Sequence, residues 1–518
     1  MANTKSTTSE TPRETSFAPV LVALAKLVLL LVVASTTAYG YFRDELYYLA
    51  CSEHLGWGYP DHPPLSVALL ALNRWAFGDS LVALRWLPAL AGSGTVLATG
   101  VLARELGGGR RAQLWAALAS CCSLISMGSA SIYSMNVFDA LAWSLAALVL
   151  VRLVKGGDAR GWIVLGVLVG LGAENKISML WLGAAVAVGL VATQERRWLK
   201  TPWPWICGAV ATLLFVPYLL WNWQHDWAHL TFMRNAASIK YASQTPYTML
   251  ADQLLIHNPA TVPMGLAGLF FFFRSDDGRP FRMLGYIFVV PLVLLVLNWH
   301  SKAEYLAPAF VVLFAGGAVL MEPWSRRAGW TWLRWAYPSV IIGLFAIALP
   351  MVLPLMSAED VSAYAEKLGV ESSSTEGKDV ADLPQFYADM HGWEAMAQAV
   401  AEVVHGLPAA EREDARIYAD NYGRCGAIDF FGKSRGLPPC LSGHNAYWLW
   451  GADETSREPL IVVGGDRAEL EQLFESVELA GTHTAAHVMP YENHLDIYVC
   501  RRPRVTLETL WPTLKNYI

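Results

Sequence analysis

The chain has 518 residues, 54% of them hydrophobic and only 16% charged, with a mean hydropathy of +0.33, which excludes one ordinary soluble domain. A net charge of −6 and a pI near 6.1 exclude a generally basic nucleic-acid binder. The Lys and Arg positions instead follow the alternation expected of a polytopic membrane protein.

Met1 to Thr15 is Ser/Thr-rich without an apolar period, so residues 1–16 are predicted to be a disordered cytoplasmic tail. The first apolar segment is longer than a signal-peptide core and runs straight into a motif-rich loop, which makes it an uncleaved first span. Apolar windows fall at 18–39, 81–103, 112–128, 135–154, 161–174, 178–193, 203–221, 258–273, 283–298, 303–321 and 334–355, about eleven spans over residues 17–355. Between them, Arg104/Arg110/Arg111, Arg152/Lys155/Arg160, Arg196/Arg197/Lys200, Arg274/Arg279/Arg282 and Arg326/Arg327 mark loops expected in the cytoplasm. The intervening loops hold single cations, Arg43, Lys176, Arg234 and Lys302, and are expected outside. An odd number of spans with the N-terminus inside places residues 356–518 outside.

That last stretch is polar at its start and then mixes strand-like runs at Ala415–Ala419, Leu460–Val463 and Leu495–Cys500 with helical ones near Gly392–Val404 and Arg467–Glu475. The pattern predicts a small extracytoplasmic α/β domain. Gly464-Gly465 fits no phosphate-loop spacing and reads as a turn. Four of the seven Cys, Cys51, Cys121, Cys122 and Cys207, sit in or beside apolar segments as small hydrophobes. Cys425 and Cys440 lie in the polar region, where a disulfide is open to them if it faces an oxidising compartment.

The loop after the first span carries the chemistry. Asp44 and Glu45 stand just beyond an apolar helix, where an ionised group needs water, a cation or a polar cavity. Asp61 and His62 precede Pro63-Pro64, which fixes φ twice and presents the preceding side chains from a stiff segment. Arg43 and Asp44 anchoring the helix at the interface is the bland reading of the same residues.

These residues resemble the membrane glycosyltransferases of family 39 and their bacterial relatives, the protein O-mannosyltransferases and lipid A aminoarabinose transferases. The shared pattern is matched by Asp44, Glu45, Tyr48, Ala50 and Asp61-His62-Pro63-Pro64-Leu65. Gly172-Ala-Glu-Asn-Lys176 and His300-Ser-Lys-Ala-Glu-Tyr-Leu-Ala-Pro308 are similar to two further family elements, so the resemblance covers roughly residues 18–355. Ala427–Phe431 and Ser442–Gly451 resemble only bacterial members.

The resemblance implies a GT-C fold in the cell (inner) membrane and transfer of a hexosyl or pentosyl unit, with inversion, from a polyprenyl-phosphate donor. The acceptor is a protein, a lipid or a cell-envelope glycan on the outer side. Asp44 is then the base that takes the acceptor's proton. Glu45 is a second carboxylate or acceptor-binding group. His62, Lys302, Tyr305 and Lys176 face the donor's phosphate and sugar, where cations stabilise the leaving group, and Asp61, Pro63 and Pro64 shape the loop. Snorkelling remains the alternative for Lys176 and Lys302, and a loop-capping role for His62. Glu45 and His62 are residue types that suit a divalent metal such as zinc or manganese, but two ligands do not specify a site, and metal dependence stays open.

Trp221-Asn-Trp-Gln-His-Asp-Trp227 with Arg234 and Lys240 reads either as a flap over the site or as an interfacial aromatic belt. Ser442–Tyr447, with Asp429 and Lys433, reads either as a carbohydrate surface or as a packed turn. Two other classes compete: a secondary transporter, for which the paired broken helices of two halves are missing, and a non-catalytic sugar-binding scaffold.

Overall fold

A computed structural model describes residues 15–240, 245–298, 301–370, 374, 378–451 and 458–518. In chain order its first helices are α1 Ala18–Thr36, α2 Arg43–Glu53, α3 Leu65–Phe77, α4 Leu81–Glu105, α5 Arg110–Cys121, α6 Leu124–Ser129, α7 Met135–Val154 and α8 Gly161–Asn175. They continue with α9 Met179–Ala192, α10 Trp203–Gln224, α11 Ala228–Asn235, α12 Pro246–Ile256, α13 Val262–Arg274, α14 Arg282–Leu297, α15 Phe310–Met321 and α16 Leu333–Ala348.

Among the described residues seven helices are long and apolar enough to cross a membrane once α14, α15 and α16 are taken with the 3-10 turns that extend them to Arg279–Leu297, Ala303–Arg326 and Leu333–Met351, or eight if α12 and α13 count as one span bent by 101°. The protein is therefore a multi-pass membrane protein. The expected number was about eleven, and short helices account for the difference. α8 and α9 have 15 and 14 residues, a rise of about 22 Å against a hydrocarbon layer of about 30 Å. The window at 112–128 divides into α5 and α6. Its break is held by partners from the α12–α13 bend: Asn258 Nδ2 donates to the Cys122 carbonyl at 3.3 Å, and Ser123 Oγ and His257 Nδ1 are hydrogen-bonded at 2.9 Å. Irregular backbone at membrane depth is tolerated where protein groups satisfy it in this way. Lys26, the one charge in α1, is buried and donates to the carbonyl and Oγ of Ser126, each at 2.9 Å.

The C-terminal part contains α17 Ala358–Leu368, α18 Gln385–Ala388, α19 Trp393–Gly406, α20 Ala409–Asp414, β1 Arg416–Ala419, α21 Tyr422–Gly432 and β2 Cys440–Leu441. It continues with α22 Ala446–Trp450, β3 Leu460–Val463, α23 Arg467–Leu473, β4 Phe474–His483 and β5 Leu495–Pro503 and closes with α24 Leu507–Leu510. The sheet order is β2-β1-β3-β5-β4, parallel from β2 through β3 and antiparallel at β5 and β4. Ile461, Val463, Ile497 and Val499 are buried in its centre. The three expected strands are present. β4 was expected in part as helix, because an edge strand reading Phe-Glu-Ser-Val-Glu-Leu carries little apolar alternation. Gly464 and Gly465 form a turn with φ of 80° and 93°. Cys425 and Cys440 are disulfide-bonded, tying α21 to β2.

Candidate active site

The loop after α1 folds into α2, so Asp44 and Glu45 occupy the first turn of a helix, where backbone N–H groups favour negative charge. The two carboxylates then part. Glu45 is fully buried. Its Oε1 accepts from Arg85 Nε at 3.0 Å and the Tyr133 N–H at 2.8 Å, and its Oε2 from Arg85 Nη2 at 2.7 Å and the Phe42 N–H at 2.9 Å. Four donors fill four lone-pair directions, so Glu45 joins α2, α4 and the start of α7 and offers no open oxygen to a metal or an acceptor.

Asp44 points the other way, with 40% of its side chain exposed. Its Oδ1 accepts from Tyr422 Oη at 2.9 Å and lies 3.5 Å from Arg43 Nε. Arg43 is itself fixed by Tyr491 Oη at 3.0 Å, by the carboxylate of Asp389 at 3.6 Å and by its own N–H donated to the Asp389 carbonyl at 2.9 Å.

The Asp61–Pro64 segment packs against the same helix. Tyr47 Oη donates to Asp61 Oδ1 at 2.9 Å and accepts from the Ala446 N–H at 3.2 Å. Burial first, and the charge of Asp61 next, push the Tyr47 phenol up, so it remains a donor. His62 is 2% exposed. Its ring stacks on Tyr48 with centroids 4.8 Å apart and lies 4.9 Å from Tyr59, while Nδ1 donates to the Pro63 carbonyl at 3.0 Å. His62 Nε2 is buried without a hydrogen-bond partner and lies 3.9 Å from Asp61 Oδ2. Next to this segment His229 Nδ1 donates to the Pro60 carbonyl at 2.9 Å, and burial holds its imidazole down to about 4, so the ring is neutral.

A cationic cluster lies beyond Tyr48. The Met135 N–H donates to Tyr48 Oη at 3.3 Å, and Asn175 Nδ2 donates to the Met135 carbonyl at 2.9 Å. The neighbouring Lys176 donates to Asn136 Oδ1 at 2.6 Å and sits 5.0 Å over the Tyr305 ring. Lys302, 4.0 Å from Glu304, is close enough to Lys176 to repel its charge. The structure thus brings Asp44, Asp61, His62, Lys176, Lys302 and Tyr305 into one chain of contacts and makes Glu45 part of the frame. Pro63 and Pro64 end the loop at the N-terminus of α3. His300 of the same motif lies outside the described residues.

Sequence reasoning missed Arg85, Asp389 and Tyr422. For Arg85 a signal existed: a cation inside an apolar window demands a partner. Tyr422 and Asp389 left none. Ser442, His444 and Asn445 form the packed turn: His444 Nε2 donates to the Ile518 carbonyl at 3.0 Å, and Asn445 Oδ1 accepts from the Ile518 N–H at 3.1 Å. In the Trp221–Trp227 segment Trp221 is buried against the Gly58 turn, whereas Trp223 and Trp227 are exposed as an interfacial belt requires. The side chain of Lys240 lies outside the described residues. No group of three or more His, Cys, Asp or Glu side chains converges as metal ligands among the described residues.

Residues 61–221 match the family described as dolichyl-phosphate-mannose-protein mannosyltransferase, a stretch that begins at Asp61 and includes His62 and Lys176. Two curated relatives are undecaprenyl phosphate-α-4-amino-4-deoxy-L-arabinose arabinosyl transferases. The one from Edwardsiella ictaluri is 27% identical over 53% of this chain and 51% of its own length, so the chain spans about half of it. The one from Pseudomonas fluorescens is 22% identical over 73% of this chain and 69% of its own length. Among solved structures, ArnT of Cupriavidus metallidurans bound to undecaprenyl phosphate superposes with a TM-score of 0.61 at 13% identity, covering 93% of this chain and 97% of that one. The mycobacterial arabinofuranosyltransferase AftD gives 0.52 at 16% identity over 94% of this chain and 40% of that one. The bundle, its loop helix and the appended sheet define a membrane protein of GT-C fold. Residues 61–221 are similar to the mannosyltransferase family that the Asp-His-Pro-Pro motif implied.

Proposed function

We propose that the protein is a glycosyltransferase that moves a sugar from a polyprenyl-phosphate donor to an acceptor at the extracytoplasmic face of the cell membrane, with inversion. The observation that carries this reading is the division of the carboxylate pair. Glu45 is locked by four donors, while the Asp44 side chain is 40% exposed and takes its hydrogen bond from Tyr422 at Oδ1. A partly exposed carboxylate anchored through one oxygen suits a base that takes the acceptor's proton as its nucleophile attacks the anomeric carbon. The bond from that carbon to the phosphate breaks, and polyprenyl phosphate leaves with an added negative charge. Lys176 and Lys302, with Tyr305 beneath Lys176, are the groups that would take up that charge. The undecaprenyl-phosphate donors named for the curated relatives support the donor class. In this reading residues 1–16 are a cytoplasmic tail, 17–355 the transferase core and 356–518 an extracytoplasmic domain.

The test is release of undecaprenyl phosphate from a panel of lipid-linked hexoses, pentoses and amino-sugars by wild-type protein and by Asp44→Asn, with membrane extract as acceptor. Release that Asp44→Asn abolishes is the expected outcome. Turnover of Asp44→Asn above about a tenth of wild type removes Asp44 as the base.

A further inference from the structure

Asp44 is bonded to a residue 378 positions away. Tyr422, the first residue of α21, donates its hydroxyl to Asp44 Oδ1 at 2.9 Å. The ring that carries this hydroxyl is fixed on three sides. Tyr47 packs on it with centroids 4.7 Å apart, His444 lies at 4.8 Å, and the Arg43 guanidinium stands 5.6 Å over its face. The helix beneath it is equally constrained. Asn421 Oδ1 caps α21 by accepting the Arg424 N–H at 2.9 Å. Arg424 is held by Glu492 and Asp420, each at 2.7 Å, and the disulfide from Cys425 joins the helix to the sheet. Two glycines let α21 lie directly on α2. A Cβ at Gly423 would meet the Arg43 side chain at 2.6 Å, and one at Gly426 would meet the Leu46 carbonyl at 2.9 Å.

We propose that Tyr422 is a positioning residue for the transfer reaction, so that the C-terminal domain completes the site built by the membrane-embedded part. The proposal rests on the reading of Asp44 as the base. A carboxylate on an exposed side chain rotates freely, and only some orientations aim an oxygen at the acceptor. The Tyr422 hydroxyl fixes Oδ1 and leaves Oδ2 to receive the proton. Tyr422 keeps its own proton throughout: the acceptor's proton moves to Asp44, and the electron pair of the broken bond leaves with the lipid phosphate. No further reactant is needed.

The test compares wild type, Tyr422→Phe, Asp44→Asn and the double variant, each assayed with membrane extract as acceptor for undecaprenyl phosphate release from undecaprenyl-phosphate-linked aminoarabinose, arabinose, mannose and glucose. Tyr422→Phe deletes one oxygen and keeps the ring with its three packing partners. The expected result is a kcat lowered about tenfold, the size of one orienting interaction, with donor KM within twofold and an unchanged melting temperature. A kcat within twofold of wild type overturns the role of Tyr422 and leaves that of Asp44 intact. A lower kcat accompanied by a raised KM and a lowered melting temperature also overturns it, because that pattern belongs to a merely structural contact. Full turnover by Asp44→Asn, or no release by wild type from any donor, overturns the underlying reading and this inference with it.

Discussion

Glu45 and Arg85 form a buried ion pair with both ends enclosed, 0% and 3% of the side chains being exposed. In such a pair removal of one partner leaves the other charged and unsolvated, a loss of about 3–5 kcal/mol, whereas exchange of both for apolar residues costs far less. Arg85→Ala is therefore expected to lower the melting temperature in detergent strongly, and Arg85→Met with Glu45→Met to recover part of it, since the Phe42 and Tyr133 N–H groups then lose their acceptor. Equal destabilisation by the single and double changes would remove the pair from the frame. At the cationic cluster, Lys302→Ala is expected to raise donor KM about tenfold through loss of a charge next to the phosphate. Unchanged KM and kcat would return Lys302 to snorkelling at the interface. The sequence carried Asp44-Glu45 as a pair and could not divide their roles. Residue type and position are nearly the same for the two, and what separates them is Arg85, 40 residues away, and Tyr422, 378 away, which leave no local pattern.

The contact of α2 with α21 is the element on which the site depends. Gly426→Ala places a methyl group 2.9 Å from the Leu46 backbone, which cannot turn aside as a side chain can. Overpacking of this kind costs about 1–3 kcal/mol, and the helix that must yield is the one carrying Tyr422. Lower kcat with the membrane-embedded part still folded, read from retained far-UV helicity, is the expected outcome. On the same helix Asp429 accepts from Tyr447 Oη at 2.6 Å and the Cys440 N–H at 2.8 Å, yet burial raises its carboxyl to about 6. The folded state then holds this proton over a range, about pH 4 to 6, in which the unfolded chain has released it. Stability from this group is therefore lost as pH rises through about 6. The melting temperature of Asp429→Asn minus that of wild type should increase between pH 4.5 and pH 7.5, and a constant difference would contradict the assignment. Long apolar spans and the strands β1, β3 and β5 were legible because their periodicity is local. The α5–α6 break was not, since its stabilising partners, His257 and Asn258, come from the distant bend between α12 and α13.

At the scale of the whole molecule, α2, the Asp61–Pro64 segment and the C-terminal sheet lie on one side of the bundle, joined by Arg43–Asp389, Tyr47–Ala446 and Asp44–Tyr422. One orientation in the membrane must therefore serve all three. The basic loops at Arg110–Arg111 and Arg326–Arg327 occur together elsewhere, where Arg111 Nη1 donates to Ser325 Oγ at 3.2 Å and Glu322 accepts from the Gly109 N–H and from Arg326. Positive loops gathered at one end predict that end to be cytoplasmic and the site to face outward. The disulfide between Cys425 and Cys440 agrees, because such bonds persist in oxidising compartments. The exposed Glu469 on α23 is a suitable position for a label. The five unpaired cysteines are all buried, which keeps background labelling low. Glu469→Cys in intact cells should react with a membrane-impermeant maleimide, and Arg326→Cys should react only after the membrane is permeabilised. The reverse pattern would put the candidate base, the cationic cluster and the C-terminal domain in the cytoplasm, and with them any lipid-linked donor.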